Sequence, residues 1–317
     1  MRRVILRASL AVALLCFATL LAAWFVGGEL LAPRLAAMGD APADLPIEAV
    51  TIPVPDAPPL RGWWVTGTTA RPAVLLLHGI RADRRAMLGR ARLLHRHGYS
   101  VLLVDLQAHG ESQGDAITLG ARESRGVVAA RDWMRQRVPG SRLAAIGVSL
   151  GGASILLAPQ PAGFDVVVLE AVYSNARQAV RNRIAMRLGD GMAELLAPLL
   201  TLQTQWRIGV TVDELSPLDR IGKLDAPVLV VAGGRDRHTL PAESRALFER
   251  AKNAKAFWLL PNAAHVDFLA HAPDEYEKRV VGFLEHQLSG PSSQQTARHA
   301  SPASMPDSAS LHDPTAP

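Results

Sequence analysis

Short, continuous apolar runs recur along this chain and alternate with segments of helical periodicity. The clearest run is Ala73–Leu77, and five more follow it at Ser100–Val104, Leu143–Gly147, Val166–Leu169, Val228–Val231 and Phe257–Leu260. A run of this length is typical of a strand that is buried on both faces of a sheet. Apolar residues recur between the runs at helical spacing, as in Met87, Ala91 and Leu94. The alternation predicts an α/β fold in which helices cover both faces of a mostly parallel sheet.

The chain is less regular on either side of this alternation. Two earlier strands are predicted at Ile47–Val54 and Arg61–Thr66, joined by a loop that carries two adjacent prolines. Residues 174–223 hold two or three helical segments without a strand, and we expect them to form a small helical cap over the ends of the strands. Residues 289–317 have no aromatic side chain and are rich in serine, proline and alanine, so this tail is expected to be disordered. The folded domain is therefore predicted to span residues 47–288.

Residues 1–31 are predicted to anchor the protein in a membrane. Residues 8–28 contain no charged side chain, and these 21 residues are enough to cross a bilayer core of about 30 Å as a helix. Three arginines precede this stretch, and by the positive-inside rule they place the N-terminus in the cytoplasm. The sequence thus predicts a single-pass membrane protein whose domain lies outside the cytoplasm, with residues 32–46 as a linker.

A cleaved signal peptide is the alternative for this segment, and it would leave a secreted protein. The apolar region of a signal peptide is shorter and ends in two small residues separated by one other residue. Leu21–Ala23 matches that pattern poorly, and Trp24–Val26 continues the apolar stretch. The sequence therefore favours a retained anchor.

Charge and cysteine content restrict the partners that this chain can have. The formal net charge of +5 includes the three arginines before the apolar segment, so the rest of the chain is nearly balanced. A nucleic-acid-binding protein needs a concentrated basic face, and we expect no nucleic-acid partner. The single cysteine, Cys16, excludes an intramolecular disulfide and a cysteine metal site.

The motif Gly147-Val148-Ser149-Leu150-Gly151 lies between a predicted strand and a predicted helix. A serine on such a tight turn is held in strained backbone, and neighbours without a Cβ relieve the crowding. The turn would raise the Ser149 hydroxyl above the sheet and direct the Leu150 N–H towards a developing oxyanion. The motif predicts Ser149 as a nucleophile and Leu150 as one oxyanion-hole donor; an ordinary glycine-rich turn is the alternative.

A serine hydroxyl is a weak nucleophile, so it needs a base, and the base needs an acid that orients it. His265 lies in the loop after the last predicted strand, and Asp236 lies in the glycine turn after the strand before it. Open α/β sheets place their sites at the carboxyl ends of strands, so we predict His265 as base and Asp236 as acid. His238, two residues from Asp236, is expected at the surface. The rival acids are Asp213, Asp219, Asp225 and Glu170.

The second oxyanion donor is predicted from the loop Leu77-His78-Gly79-Ile80, which follows another buried strand. Gly79 lets the backbone approach a substrate, and the Ile80 N–H is the natural donor. His78 precedes the nucleophile in the chain and is interpreted as structural, fixing this loop through side-chain hydrogen bonds. His109, in the turn after the next strand, is interpreted in the same way.

With these motifs in this order, from His78 to His265, the chain resembles the esterase-type α/β hydrolases, close to the serine aminopeptidase and Bem46-like branches. The resemblance implies an eight-stranded sheet and neither a metal nor an organic cofactor. Gln107-Ala108 replaces the Arg-Gly pair that is common in the turn after Asp105, a departure that touches a loop and not the candidate triad. The chain has no run of glycines after His78, unlike lipases with a longer oxyanion loop.

The predicted activity is therefore hydrolysis of a small-molecule ester through an acyl-enzyme, as in a carboxylesterase or thioesterase. A peptidase or amidase, an acyltransferase, and a catalytically silent binding protein are the alternatives. Apolar residues of the cap, such as Leu195 and Leu199, suggest an apolar or lipid-derived substrate. The same residues would be needed to pack the cap on its domain, so the substrate stays open.

Overall fold

The computed structural model describes residues 1–68, 72–159, 163–253 and 255–289. Eight strands are numbered in chain order: β1 Ile47–Val54, β2 Ala57–Val65, β3 Ala73–Leu77, β4 Ser100–Val104, β5 Leu143–Val148, β6 Val166–Glu170, β7 Val228–Gly233 and β8 Lys255–Leu260. They form one sheet in the order β1-β2-β4-β3-β5-β6-β7-β8. Strand β2 is antiparallel to both of its neighbours, and the other pairings are parallel. The predicted mostly parallel sheet of eight strands is confirmed. Residues 290–317 of the predicted tail lie outside the described residues.

Twelve α-helices surround the sheet in the described part of the chain. They are α1 Arg2–Leu31, α2 Leu88–Arg96, α3 Glu123–Arg137, α4 Leu150–Leu157, α5 Ala176–Leu188, α6 Asp190–Thr201, α7 Thr204–Ile208, α8 Pro217–Ile221, α9 Pro241–Arg250, α10 Phe268–His271, α11 Pro273–Tyr276 and α12 Gly282–Leu288. A π-helical turn, Glu277–Val281, joins α11 to α12, so the three segments together form one composite helix over 273–288. Two 3₁₀ turns precede α2 and α8.

The sheet separates two apolar cores, and β3 shows how one strand serves both. All five of its residues are buried. Leu75 and Leu77 pack in the core under α3, α4, α8 and α9, whereas Val74 and Leu76 pack in the core under α2 and α10–α12. Successive side chains of a strand point to opposite faces, so a strand covered on both sides has no polar position. This explains why the central strands appear in the sequence as continuous apolar runs.

The connection between β1 and β2 differs from the predicted proline-containing loop. The chain turns at Asp56, whose φ is +54°, and Pro58 and Pro59 already belong to β2. The register with β1 shifts between Ile52 and Val54, and β2 pairs with β4 only from Gly62 onward. The two prolines therefore lie at an irregularity, where a missing N–H costs no ladder bond.

Helix α1 and the segment after it contact the rest of the molecule. Among the described residues, α1 is the one helix long and apolar enough to cross a membrane, by length and composition alone. It contacts α6, and Leu31 at its end is buried in a cluster with Ala176, Ile208, Val212 and Leu215. Arg34–Leu35, in the predicted linker, pairs in parallel with His109–Gly110. Helices α5–α8 occupy the predicted cap region between β6 and β7.

Candidate active site

Ser149 occupies the turn between β5 and α4 in a backbone conformation that L-residues rarely adopt. Its φ is +48° and its ψ is −107°, and its N–H donates to the carbonyl of Glu170 over 2.8 Å. A Cβ on Gly147 would collide with the backbone of Gly152, and a Cβ on Gly151 would collide with the Leu77 carbonyl. The turn can therefore form only with glycine at both positions, and the strain that it stores is of the kind found at functional sites.

Asp236 and His265 form a hydrogen-bonded pair at the same edge of the sheet. His265 Nδ1 lies 2.7 Å from Asp236 Oδ2. A carboxylate only accepts, so Nδ1 carries the proton and Nε2 is left as an acceptor. The other oxygen, Oδ1, accepts from the N–H groups of His238 and Thr239 over 2.7 and 2.9 Å. Asp236 is 2% exposed, so its side chain is held in one position.

Ser149 and His265 line one cavity of about 780 Å³, together with Ile80. In the described part of the chain the Ser149 hydroxyl is not hydrogen-bonded to His265. Such bonds are often long before substrate binds and shorten in the reacting complex. The structure thus brings the predicted nucleophile and base to one cavity, with the predicted acid behind the base.

The predicted oxyanion donors both lie beside Ser149, in a second cavity that adjoins the first. Ile80 lines both cavities, and Leu150 lines the second with Ser149. Within the described residues, neither backbone N–H has a hydrogen-bond acceptor. An unpaired N–H at a helix start or in a loop can donate to an anionic oxygen.

Two buried histidines hold the Ile80 loop. His78 Nδ1 donates to the Gly79 carbonyl over 2.8 Å, and its Nε2 accepts from the Leu106 N–H over 3.0 Å. His109 bonds the Gln107 carbonyl through Nδ1, over 3.0 Å, and accepts from the Arg81 N–H through Nε2, over 3.1 Å. The predicted structural role of both histidines is confirmed by these bonds.

Both rings must be neutral to accept through Nε2. Burial, together with the nearby His109, lowers the pKa of His78 to about 3. Burial also lowers the pKa of His109. The two rings therefore act as fixed hydrogen-bonding groups and not as proton carriers at neutral pH.

His238 is nearer to the site than the sequence predicts. Its ring centroid lies 4.9 Å from that of His265, and it lines the same cavity. Burial, followed by the charge of His265, lowers the pKa of His238. The sequence could have placed His238 near the site, because it lies in the same turn as the candidate acid. Its N–H donates to the Asp236 carboxylate. Among the described residues, no three His, Cys, Asp or Glu side chains are grouped as metal ligands.

These features define an α/β hydrolase. The sequence model of the α/β hydrolase family matches residues 74–279, and the chain belongs to that family. It is 30% identical over 226 residues to Rv2307c, an uncharacterized protein of Mycobacterium tuberculosis, across 69% of this chain and 72% of that one. YqkD, an uncharacterized protein of Bacillus subtilis, is 24% identical over 233 residues, across 72% of this chain and 75% of that one.

Solved structures with the same fold include an esterase and a protein with ferulic acid bound. The esterase Pf2001 of Pyrococcus furiosus superposes with a TM-score of 0.68 at 23% identity, over 82% of this chain and 98% of that one. Est1E of Butyrivibrio proteoclasticus, with ferulic acid bound, gives a TM-score of 0.59 at 17% identity, over 76% of this chain and 100% of that one. At these identities the likeness shows the fold.

Proposed function

We propose that this protein is a serine hydrolase that cleaves carboxylic esters or thioesters through an acyl-enzyme on Ser149. The observation that carries the proposal is the 2.7 Å bond between His265 and Asp236, because it directs an imidazole base into the cavity that Ser149 lines. The strained turn at Ser149 and the unpaired N–H groups of Ile80 and Leu150 support it. Ester substrates are favoured because the esterase Pf2001 has the same fold.

The proposed reaction has two halves. Ser149 Oγ attacks the carbonyl carbon and its proton passes to His265 Nε2, while the carbonyl oxygen becomes an oxyanion held by the two N–H groups. The tetrahedral intermediate then collapses, and the leaving alcohol or thiol takes the proton from His265. Water repeats the same steps on the acyl-enzyme, with His265 again as base, and releases the acid. Each oxyanion donor contributes about 10²–10³ in turnover.

A fluorophosphonate probe and a panel of p-nitrophenyl esters test this proposal on the full chain in detergent. The wild type should be labelled and should hydrolyse esters, and Ser149→Ala should lose both properties without a change in melting temperature. His265→Ala should lose nearly as much, whereas His271→Ala, on α10 outside both cavities, should match the wild type.

Two results would contradict the proposal. Labelling that persists in Ser149→Ala would place the nucleophile elsewhere. Hydrolysis of a peptide panel without hydrolysis of any ester would leave the triad in place but make the protein a peptidase.

A further inference from the structure

A second cavity, of about 550 Å³, extends from Ser149 between α1 and the cap. This volume lies in the range of about 300–1,000 Å³ that is usual for small-ligand sites. Its lining is largely aliphatic, with Ala23, Val26 and Leu30 from α1 facing Ile184, Leu196 and Leu200 from α5 and α6. The N-terminal helix is thus one wall of a cavity that opens on the candidate nucleophile.

Specific polar contacts hold α1 against the cap. Gln203 Nε2 donates to the Ala23 carbonyl over 3.0 Å, and Arg207 donates to the Trp24 carbonyl. The Arg207 guanidinium also lies 3.9 Å from the centroid of the Trp24 ring. Gly27 is buried at this contact, and a Cβ there would force the Gln203 side chain to shift. A helix with only an anchoring role would need none of these contacts.

The end of α1 also reaches the oxyanion loop. Arg81 Nη2 donates to both the carbonyl and the carboxylate of Glu29, over 3.2 and 3.1 Å. Leu30, the next residue, lines both cavities. The wall that α1 provides therefore extends to the position where an ester carbonyl would meet Ser149.

The outer surface beside α1 is apolar as well. Leu202 and Trp206 flank the Gln203 contact and are 64% and 74% exposed, and Leu195 on α6 is 64% exposed. Large exposed apolar side chains grouped in this way mark a contact surface for protein or lipid. These side chains adjoin α1, whose outer face is also apolar. Lipid is therefore the occupant that suits both the side chains and the helix.

We propose that the second cavity binds the acyl chain of a long-chain fatty ester, with α1 as a wall that sets chain-length preference. The proposal rests on the proposed function, because the chain must end at a carbonyl that Ser149 attacks. Each methylene that enters the cavity should raise kcat/KM about fourfold until the cavity is full. The acyl chain would enter from the bilayer beside α1.

Matched tryptophan substitutions test this assignment on the full chain in detergent. Ala23→Trp fills the cavity from α1, and Ile184→Trp fills it from the cap. Both should lower kcat/KM for p-nitrophenyl dodecanoate at least about tenfold and leave p-nitrophenyl acetate within about twofold. Ala18→Trp, on the exposed side of the same helix and outside the cavity, should change neither rate.

Equal losses on both esters, or no loss on either, would overturn the acyl-cavity assignment while the proposed function stands. A wild type that neither reacts with fluorophosphonate nor hydrolyses acetate would instead overturn the proposed function. The melting temperature of each variant shows whether a loss of rate reflects a loss of fold.

A separate observation concerns two arginines of α5. Arg183 and Arg187, one helical turn apart, line both cavities with Ser149. The side chain of Arg183 donates to the Ala179 carbonyl, and neither arginine forms an ion pair within the described residues. By contrast, Arg81 pairs with Glu29 and Arg90 pairs with Glu170. Burial lowers the pKa of Arg183, and the nearby Tyr173, Asp236 and Glu243 offset this only in part.

We infer from these two cations that the leaving portion of the substrate carries an anionic group near the ester. A phosphate suits two guanidinium groups, since each can bind it through paired N–H donors. The acyl chain and the charged group would then occupy the two cavities that meet at Ser149.

Two lipids with the same acyl chain test this inference: a monoacylglycerol and the lysophosphatidic acid that adds a phosphate to it. The wild type should prefer the phosphate ester by about tenfold or more, and Arg187→Ala should abolish that preference with little effect on the neutral ester. Arg177→Ala, on the same helix but outside both cavities and paired with Asp213, should keep it. Equal rates on both lipids in the wild type would overturn the inference, and inhibition of both by free phosphate would indicate a general anion site instead.

Discussion

Asp236 differs from the rival acids in how completely its position is determined. One oxygen binds two backbone N–H groups, and the other binds His265. Asp213 and Asp219, by contrast, are largely exposed and pair with arginines, so neither faces the base. A fixed carboxylate keeps the imidazole in the tautomer that leaves Nε2 as the acceptor, and it stabilises the imidazolium that forms during attack.

Asp236→Asn should therefore lower kcat by about 10⁴-fold with little change in the melting temperature. The amide keeps the shape of the side chain but lacks its charge, and its NH₂ group can hold the ring in the wrong tautomer. Initial rates on p-nitrophenyl acetate measure the effect. Asp225→Asn, a change at a rival acid outside both cavities, is the control and should behave as the wild type. Comparable rates for both variants would assign the acid to another residue.

His78 should make the stability of the fold depend on pH. Its pKa is 6.5 in a model peptide and about 3 in the fold, so the unfolded chain binds more protons between these values. The contribution of the neutral His78 ring to the free energy of unfolding is complete above pH 6.5 and is lost as the pH falls towards 3. The stability advantage of the wild type over His78→Asn should shrink by about 2 kcal/mol between about pH 7 and about pH 5.

Chemical denaturation at several pH values measures that difference. His286→Asn, at an exposed position on α12, is the control, and its stability difference from the wild type should stay constant over the same range. A constant difference for His78→Asn as well would show that the ring binds protons equally in the folded and unfolded states, so that the fold does not lower its pKa.

At the scale of elements, the turn at Ser149 depends on the close approach of α4 to β3. A Cβ on Gly151 has no space beside the Leu77 carbonyl, and backbone cannot move aside as a flexible side chain can. Gly151→Ala should therefore destabilise the protein by about 1–3 kcal/mol and lower activity, because Ser149 would shift. Gly282→Ala, at the start of α12 with open space around it, should be neutral or stabilising by up to about 1 kcal/mol. Thermal melting of the two variants decides the point; equal melting temperatures would mean that the turn can relax.

Elements that are encoded by a local sequence pattern could be predicted from the sequence. Features that depend on contacts between distant parts of the chain could not. The central strands are evident because a strand buried on both faces must be apolar throughout, and the candidate site residues each follow such a run. The β1–β2 turn was misplaced because Pro58 and Pro59 usually mark a loop, whereas here an irregular register accommodates them. The sequence could not predict that α1 forms a cavity wall, because an apolar helix shows the same pattern whether it faces lipid or packs against protein. Its partner, Gln203, lies 180 residues away.

At the scale of the whole molecule, three units meet at Ser149: the sheet, the cap and α1. None of the candidate catalytic residues lies before His78, so the sequence alone predicts that a shortened chain beginning near Asp44 is soluble and still active. The structure changes this expectation, since such a chain lacks the α1 side of the acyl cavity and the strand pairing of Arg34–Leu35. The N-terminal helix is therefore better understood as part of the site than as a detachable anchor.

This arrangement bears on whether the N-terminal segment is retained. Cleavage after Ala23 would remove part of the cavity wall and the carbonyl that Gln203 binds. We therefore expect a mature protein that keeps α1 and stays in the membrane fraction after a carbonate wash. The arginines before the apolar stretch favour a cytoplasmic N-terminus, so protease should reach the domain only from the extracytoplasmic side. Sequencing of the mature N-terminus is the direct measurement. A start at Trp24 or later would mean a secreted enzyme whose acyl cavity lacks that part of its α1 wall, and a domain protected from external protease would reverse the orientation.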